Sequence, residues 1–189
     1  MKFDIILAGV GGQGVLSVTA AIASAALDEG FHVKQSEVHG MSQRGGAVSS
    51  TLRMGDSPVE SPLVSLGSAS LVLSMEPLES LRYLSYLSPA GAVITSTNPV
   101  ANIADYPPIA DVLERIQRLP RASVIDAEQL ARDAGSAKAA NMVLVGACSR
   151  VLPLKPESLQ KAIHRLFSRK GEKIVETNLK AFELGRAAR

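Results

Sequence analysis

Two hydrophobic patterns alternate along the chain: continuous apolar runs of strand length, and longer stretches where apolar residues recur every three or four positions. Residues 3–8 (Phe-Asp-Ile-Ile-Leu-Ala) open with a run of the first kind and read as a strand buried on both faces. Gly9-Val10-Gly11-Gly12-Gln13-Gly14 breaks it. Val15, Val18, Ile22, Ala25 and Ala26 then space a helix that stops near Gly30, and its many Ala and Ser predict close packing against a sheet. Residues 31–34 supply a second strand, which a parallel crossover would set beside the first.

Residues 37–46 have neither period and read as a polar, glycine-containing loop. Residues 47–54 form a strand and Gly55-Asp56 a turn. Residues 59–63 are expected to return as a partner strand, kept at an edge by Pro58 and Pro62. Residues 69–74 are a further buried strand. Pro77 starts a helix spaced by Leu78, Leu81, Leu84 and Leu87. A strand over 92–95 follows, then a helix marked by Ile109, Val112, Leu113, Ile116 and Leu119, and a strand over 123–125. Asp126 is placed to cap the next helix, and three more helical patterns cover 139–151, 158–167 and 172–185. This alternation predicts an α/β fold: a three-layer, Rossmann-like domain with a mostly parallel sheet and the 47–63 pair as an antiparallel addition. No repeat or linker interrupts it, so residues 1–189 read as one domain.

Composition narrows the chemistry. Of 189 residues 46% are hydrophobic, enough for a substantial core without staples. Twenty Lys and Arg against eighteen Asp and Glu leave +2, too balanced for a nucleic-acid binder. A single cysteine, Cys148, excludes an intrachain disulfide and any Cys-ligated zinc or iron–sulfur site built from this chain alone. It reads as a small buried hydrophobe in a reducing, cytoplasmic setting. Asp4 and the early glycines interrupt the first apolar run, so neither a targeting segment nor a membrane span is expected. No metal-ligand spacing occurs around His32, His39 or His164.

Two segments carry candidate chemistry. Gly9-x-Gly11-x-x-Gly14 matches the dinucleotide fingerprint between a strand and a helix, where glycines let backbone N–H groups approach an anion. Glu37, 23 residues past Gly14, would be the ribose-binding acid; the alternative is a tight turn without a ligand. The second segment is Glu37-Val38-His39-Gly40-Met41-Ser42-Gln43-Arg44-Gly45-Gly46. Here His39 offers a proton and Arg44 a fixed cationic fork; the alternative is a solvated loop with a Glu37–Arg44 pair.

Together the Gly-x-Gly-Gly-Gln-Gly-Val start and the Glu-Val-His-Gly-Met-Ser-Gln-Arg-Gly-Gly loop resemble the gamma-type subunits of 2-oxoacid:ferredoxin oxidoreductases. His39 through Gln43 favour the small (beta) subunit of the indolepyruvate branch. Asn98-Pro99, the segment from Asn141 to Ala147, and Asn178-x-x-x-Phe182-x-x-Gly185 resemble later landmarks of the family. The resemblance implies a complex in which thiamine diphosphate expels carbon dioxide from a 2-oxoacid. One-electron oxidation by [4Fe–4S] clusters then feeds ferredoxin, and coenzyme A takes the acyl group. It further implies that a large alpha subunit carries the thiamine diphosphate and clusters, with no cofactor on this chain. His39 and Arg44 are then the candidate catalytic residues. Gly9, Gly11, Gly12, Gln13, Gly14, Glu37, Gly40, Met41, Ser42, Gln43, Gly45, Gly46 and Asn98 would line loops facing the substrate or partner. Asn141 and Asn178 read as packing or cap residues. Other readings are a pyruvate-type subunit, a free-standing nucleotide-binding oxidoreductase, and an assembly module that contributes no chemical group.

Overall fold

The computed structural model describes residues 1–40, 45–101 and 103–188. The chain runs β1 (Lys2–Val10), α1 (Val15–Asp28), β2 (His32–His39), β3 (Ala47–Gly55), β4 (Ala69–Ser74), α2 (Pro77–Arg82) and β5 (Leu87–Ser96). It continues through α3 (Ile109–Gln117), β6 (Ala122–Ile125), α4 (Ala127–Ala134), α5 (Ala140–Cys148), α6 (Pro156–Phe167) and α7 (Glu172–Ala187). The strands form one sheet in the order β2-β3-β1-β4-β5-β6. β1, β4, β5 and β6 are parallel, whereas β3 is antiparallel to both β1 and β2.

Period-two alternation along β1 builds the three layers. Ile5 and Leu7 join a core with α1, α5, α6 and α7, and Ile6 points to the opposite core against Val112 and Ile116 of α3. α5 and α7 cross at glycines: a Cβ on Gly146 would lie 1.9 Å from the Phe182 carbonyl oxygen, and one on Gly185 1.9 Å from that of Val143. Only glycine lets the two backbones approach this closely. Among the described residues, no helix is long and apolar enough to cross a membrane.

Four expectations change. The strand at 31–34 does not lie beside β1, because β3 intervenes. The reason is polarity: β2 is exposed or half-exposed throughout, whereas β3 buries Val48, Leu52 and Met54 and so fills an interior position. β2 also runs on to His39, so Glu37 and His39 belong to a strand rather than a loop. The antiparallel addition is therefore β2–β3, not 47–63. Residues 59–63 form no strand. They are a strap held across β3 by side chains: Thr51 Oγ1 donates to Pro62 O (2.8 Å), and Arg53 Nη1 to Ser61 O and Leu63 O (both 2.8 Å). Arg53 Nε also donates to the buried Asp4 (3.0 Å). Finally, the helix from Pro77 stops at Arg82, passes through a 3-10 turn at Leu84–Tyr86 and enters β5 at Leu87. Pro89 forces the residue before it into extended backbone, which a continuing helix could not accommodate.

Candidate functional site

The carboxyl end of β1 is where the site begins. Gly9 is needed for packing, since a Cβ there would meet Gln13 Oε1 at 2.9 Å, Val15 Cγ2 at 3.0 Å and Met75 Cβ at 3.1 Å. Gly12 (φ +105°) and Gly14 (φ +83°) are needed for conformation, both being left-handed. Gln13 closes the turn. Its Oε1 accepts from Val10 N (2.8 Å), and its Nε2 donates to Met75 O just beyond β4 (3.2 Å).

Backbone hydrogen bonds join this turn to the polar segment. Gly11 N donates to Gly46 O (2.8 Å) and Gly45 N to Gly11 O (3.4 Å), while Gly40 N donates to Ala47 O (2.9 Å) at the end of the hairpin. His39 reaches a recess of about 340 Å³ that it lines together with Gly11, Gly12, Gly14 and Ser17. Its Nε2 lies 3.4 Å from Glu37 Oε2, and Glu37 Oε1 accepts from Gln35 Nε2 (2.5 Å). The structure thus brings Gly9, Gly11, Gly12, Gln13, Gly14, Glu37, His39, Gly40, Gly45 and Gly46 to one rim. Met41, Ser42, Gln43 and Arg44 lie outside the described residues.

Gly12 also lines a second recess, of about 240 Å³, beyond the ends of β1, β4 and β5 with Gln13, Ser96, Asn98 and Asn141. Asn98 knits β5 to α4: its Oδ1 accepts from Ser96 Oγ (2.7 Å) and Glu128 N (3.2 Å), and its Nδ2 donates to Asp126 Oδ1 (3.3 Å). Asn141 has a closer relation to the glycine turn than packing alone implied. A Cβ on Gly14 would sit 2.6 Å from Asn141 Nδ2, so the glycine turn is moulded around this amide. Its position in the first turn of an apolar helix was the signal in the sequence. Asn178 keeps to the packing role, donating from Nδ2 to Ile174 O (2.7 Å).

The geometry bears on cofactors. Glu37 pairs in register with Ser50, and Ser50 with Leu7, so the acid stands two strands, about 10 Å, from β1. A ribose-binding acid is expected on the strand next to β1. The N–H groups of Val10, Gly11 and Gln13 are also spent internally, on Gln13 Oε1, Gly46 O and Val10 O. Cys148 is fully buried, donates its thiol to Val145 O (3.2 Å), and is pushed far above the usual thiol range by burial. Such a thiol does not fit a cluster ligand.

The pyruvate ferredoxin/flavodoxin oxidoreductase family model matches residues 4–188. The indolepyruvate oxidoreductase subunit IorB of Pyrococcus horikoshii is 37% identical over 194 residues, covering 97% of this chain and 94% of that protein. Pyruvate oxidoreductase subunit PORC of Thermotoga maritima superposes with a TM-score of 0.76 at 22% identity, over 99% of this chain and 96% of that one. The 2-oxoglutarate:ferredoxin oxidoreductase of Magnetococcus marinus, solved with 2-oxoglutarate, coenzyme A and succinyl-CoA bound, gives a TM-score of 0.78 at 22% identity. That match covers 98% of this chain, which spans only 30% of the longer one. With its glycine turn, its strand order and a family match running from residue 4 to residue 188, the chain belongs to the pyruvate ferredoxin/flavodoxin oxidoreductase family.

Proposed function

We propose that this chain is the small subunit of an indolepyruvate-type 2-oxoacid:ferredoxin oxidoreductase acting on aryl 2-oxoacids. The observation that carries the reading is the 37% identity to IorB over nearly the whole of both chains. In this reading a large alpha subunit holds thiamine diphosphate and [4Fe–4S] clusters, which decarboxylate the 2-oxoacid and deliver its electrons to ferredoxin, with coenzyme A as acyl acceptor. This chain supplies polar groups and shape. The glycine turn, the 37–46 segment and Asn98 face the partner's reaction site. Arg44 neutralises the 2-oxoacid carboxylate or a coenzyme A phosphate through charge-assisted hydrogen bonds. His39, steadied by Glu37, orients or protonates a reacting oxygen. A single domain over residues 1–189 and a cytoplasmic location belong to the same proposal.

One observation favours a second reading, an assembly module without chemical groups: much of the glycine turn's hydrogen-bonding capacity is already used within the chain. Co-expression with the large subunit tests both. The expected result is a brown complex that reduces a viologen dye only with an arylpyruvate and coenzyme A, and no activity from either chain alone. Arg44→Ala should leave assembly intact and lower turnover at least tenfold. Unchanged turnover would select the module. An isolated chain that binds a nicotinamide or flavin nucleotide and turns over alone would overturn both readings.

A further inference from the structure

We propose that Glu76 is a clasp that closes the segment after β5 onto the carboxyl end of the sheet, and that ionisation of Glu79 beside it opens the clasp. Glu76 is 1% exposed, and no cation pairs with it among the described residues. A buried charge of this kind is costly unless hydrogen bonds satisfy it. Three donors converge on the carboxylate. Oε1 accepts from Val100 N (3.3 Å) and from the Tyr106 hydroxyl, and Oε2 accepts from Glu79 N (2.8 Å). A carboxylate can meet all three because both its oxygens are acceptors, whereas an amide would turn its own N–H groups against one of them. A single oxygen thus ties residues 100 and 106 to the end of β4.

The tie stands next to the candidate site. Met75, immediately before Glu76, accepts from Gln13 Nε2 and lines the recess that contains Gly12 and Asn98. Asn98 lies two residues before Val100. Adjacent residues therefore hold the glycine turn and the segment that carries Asn98, and opening the clasp frees one to move against the other.

The clasp also contains the charge that opens it. Glu79 is buried, with Oε1 3.0 Å from Arg82 Nε and Oε2 without a hydrogen-bond partner among the described residues. Two buried carboxyls therefore share one cation. While Glu79 keeps its proton, Glu76 is the single buried charge and its three donors suffice. Burial raises the Glu79 carboxyl, Arg82 opposes the rise and Glu76 adds to it. Once Glu79 ionises, two like charges face each other away from water, and release of Glu76 from Val100 and Tyr106 lets it hydrate. Tyr106 faces both carboxyls, but burial and the bond to Glu76 push its phenol far above the usual tyrosine range, so it stays a donor. The other elements packed on α2, namely β1, β4, β5, α3 and the 3-10 turn, bring no further charge to Glu79 among the described residues. The closed state binds the Glu79 proton more readily than the open one. Closure is therefore complete at low pH and is lost as pH rises through the raised value. The clasp does not depend on the proposed function.

Hydrogen exchange of the full chain, corrected for the intrinsic rate at each pH, tests it. Exchange over residues 97–101 and 103–108 should quicken about fivefold relative to β1 between about pH 5 and 8, the upper side of the glutamate range. The strand β1 serves as the reference because its exchange reports opening of the whole sheet. E79Q should hold the slow rate across this range. Y106F, which keeps the Glu79 N bond to Glu76, should exchange fast at every pH with an unchanged Tm. A corrected rate in wild type that does not vary with pH, E79Q following wild type, or slow exchange in Y106F overturns the proposal. A complex inactive on arylpyruvates would defeat the proposed function and leave the exchange result standing.

Discussion

Gln13 holds the glycine turn by making one side chain serve two strands, accepting from the end of β1 and donating to the residue after β4. A glutamine does this because its amide carries both an acceptor and donors, whereas a carboxylate could satisfy only Val10 N. Gln13→Ala leaves two part-buried backbone groups without a partner, a cost of about 1–3 kcal/mol. Chemical denaturation should show that loss, and on the proposed function turnover by the complex should fall with it. The Glu substitution should recover only part, because Met75 O still lacks its donor. At this scale much of the site was legible in the sequence, since Gly12 and Gly14 take the positive φ that a strand-to-helix turn requires. The function of Gln13 was not legible, because Met75 lies 62 residues away along the chain.

Elements depend on a few close approaches. Replacing Gly146 by Ala puts a methyl group 1.9 Å from the Phe182 carbonyl oxygen, and 2.8 Å from Arg186 N, so α5 and α7 must separate. The expected penalty is about 3 kcal/mol, lowering Tm by roughly 6–12 °C in a thermal scan. Ala147, next in the chain and also buried, has a methyl group that the packing already accommodates. Element order was the part most misjudged from pattern alone. β2 and β3 are both strands by their own composition, but which takes the interior follows from comparison: β3 alternates buried residues and β2 does not. The strap over 59–63 was illegible for another reason, because its hold comes from Arg53 and Thr51 side chains and leaves no period in its own residues.

For the molecule as a whole, stability should carry a pH signature from α2. Glu79 is buried, its carboxyl raised by desolvation against the opposing pull of Arg82, with Glu76 adding to the rise; one of its oxygens has no hydrogen-bond partner among the described residues. A carboxyl raised in the folded state binds its proton more readily folded than unfolded. Its favourable contribution is therefore complete at low pH and is lost as pH rises from the ordinary glutamate value through the raised one. Glu79→Gln should flatten this fall in a series of denaturation curves between pH 4 and 7 (about the range in which glutamates titrate). An unchanged slope would remove Glu79 as its source. The fold class and the family were readable because they rest on repeated local signals over the whole chain.

The central place of β1 also bears on synthesis. Its pairing partners are β3, whose last residue is Gly55, and β4, whose last residue is Ser74. On a ribosome, β1 has been made long before either neighbour exists to pair its backbone. The nascent chain must therefore carry one edge of its central strand unpaired until Gly55 is made and the other until Ser74, an interval in which chaperone capture competes with self-association.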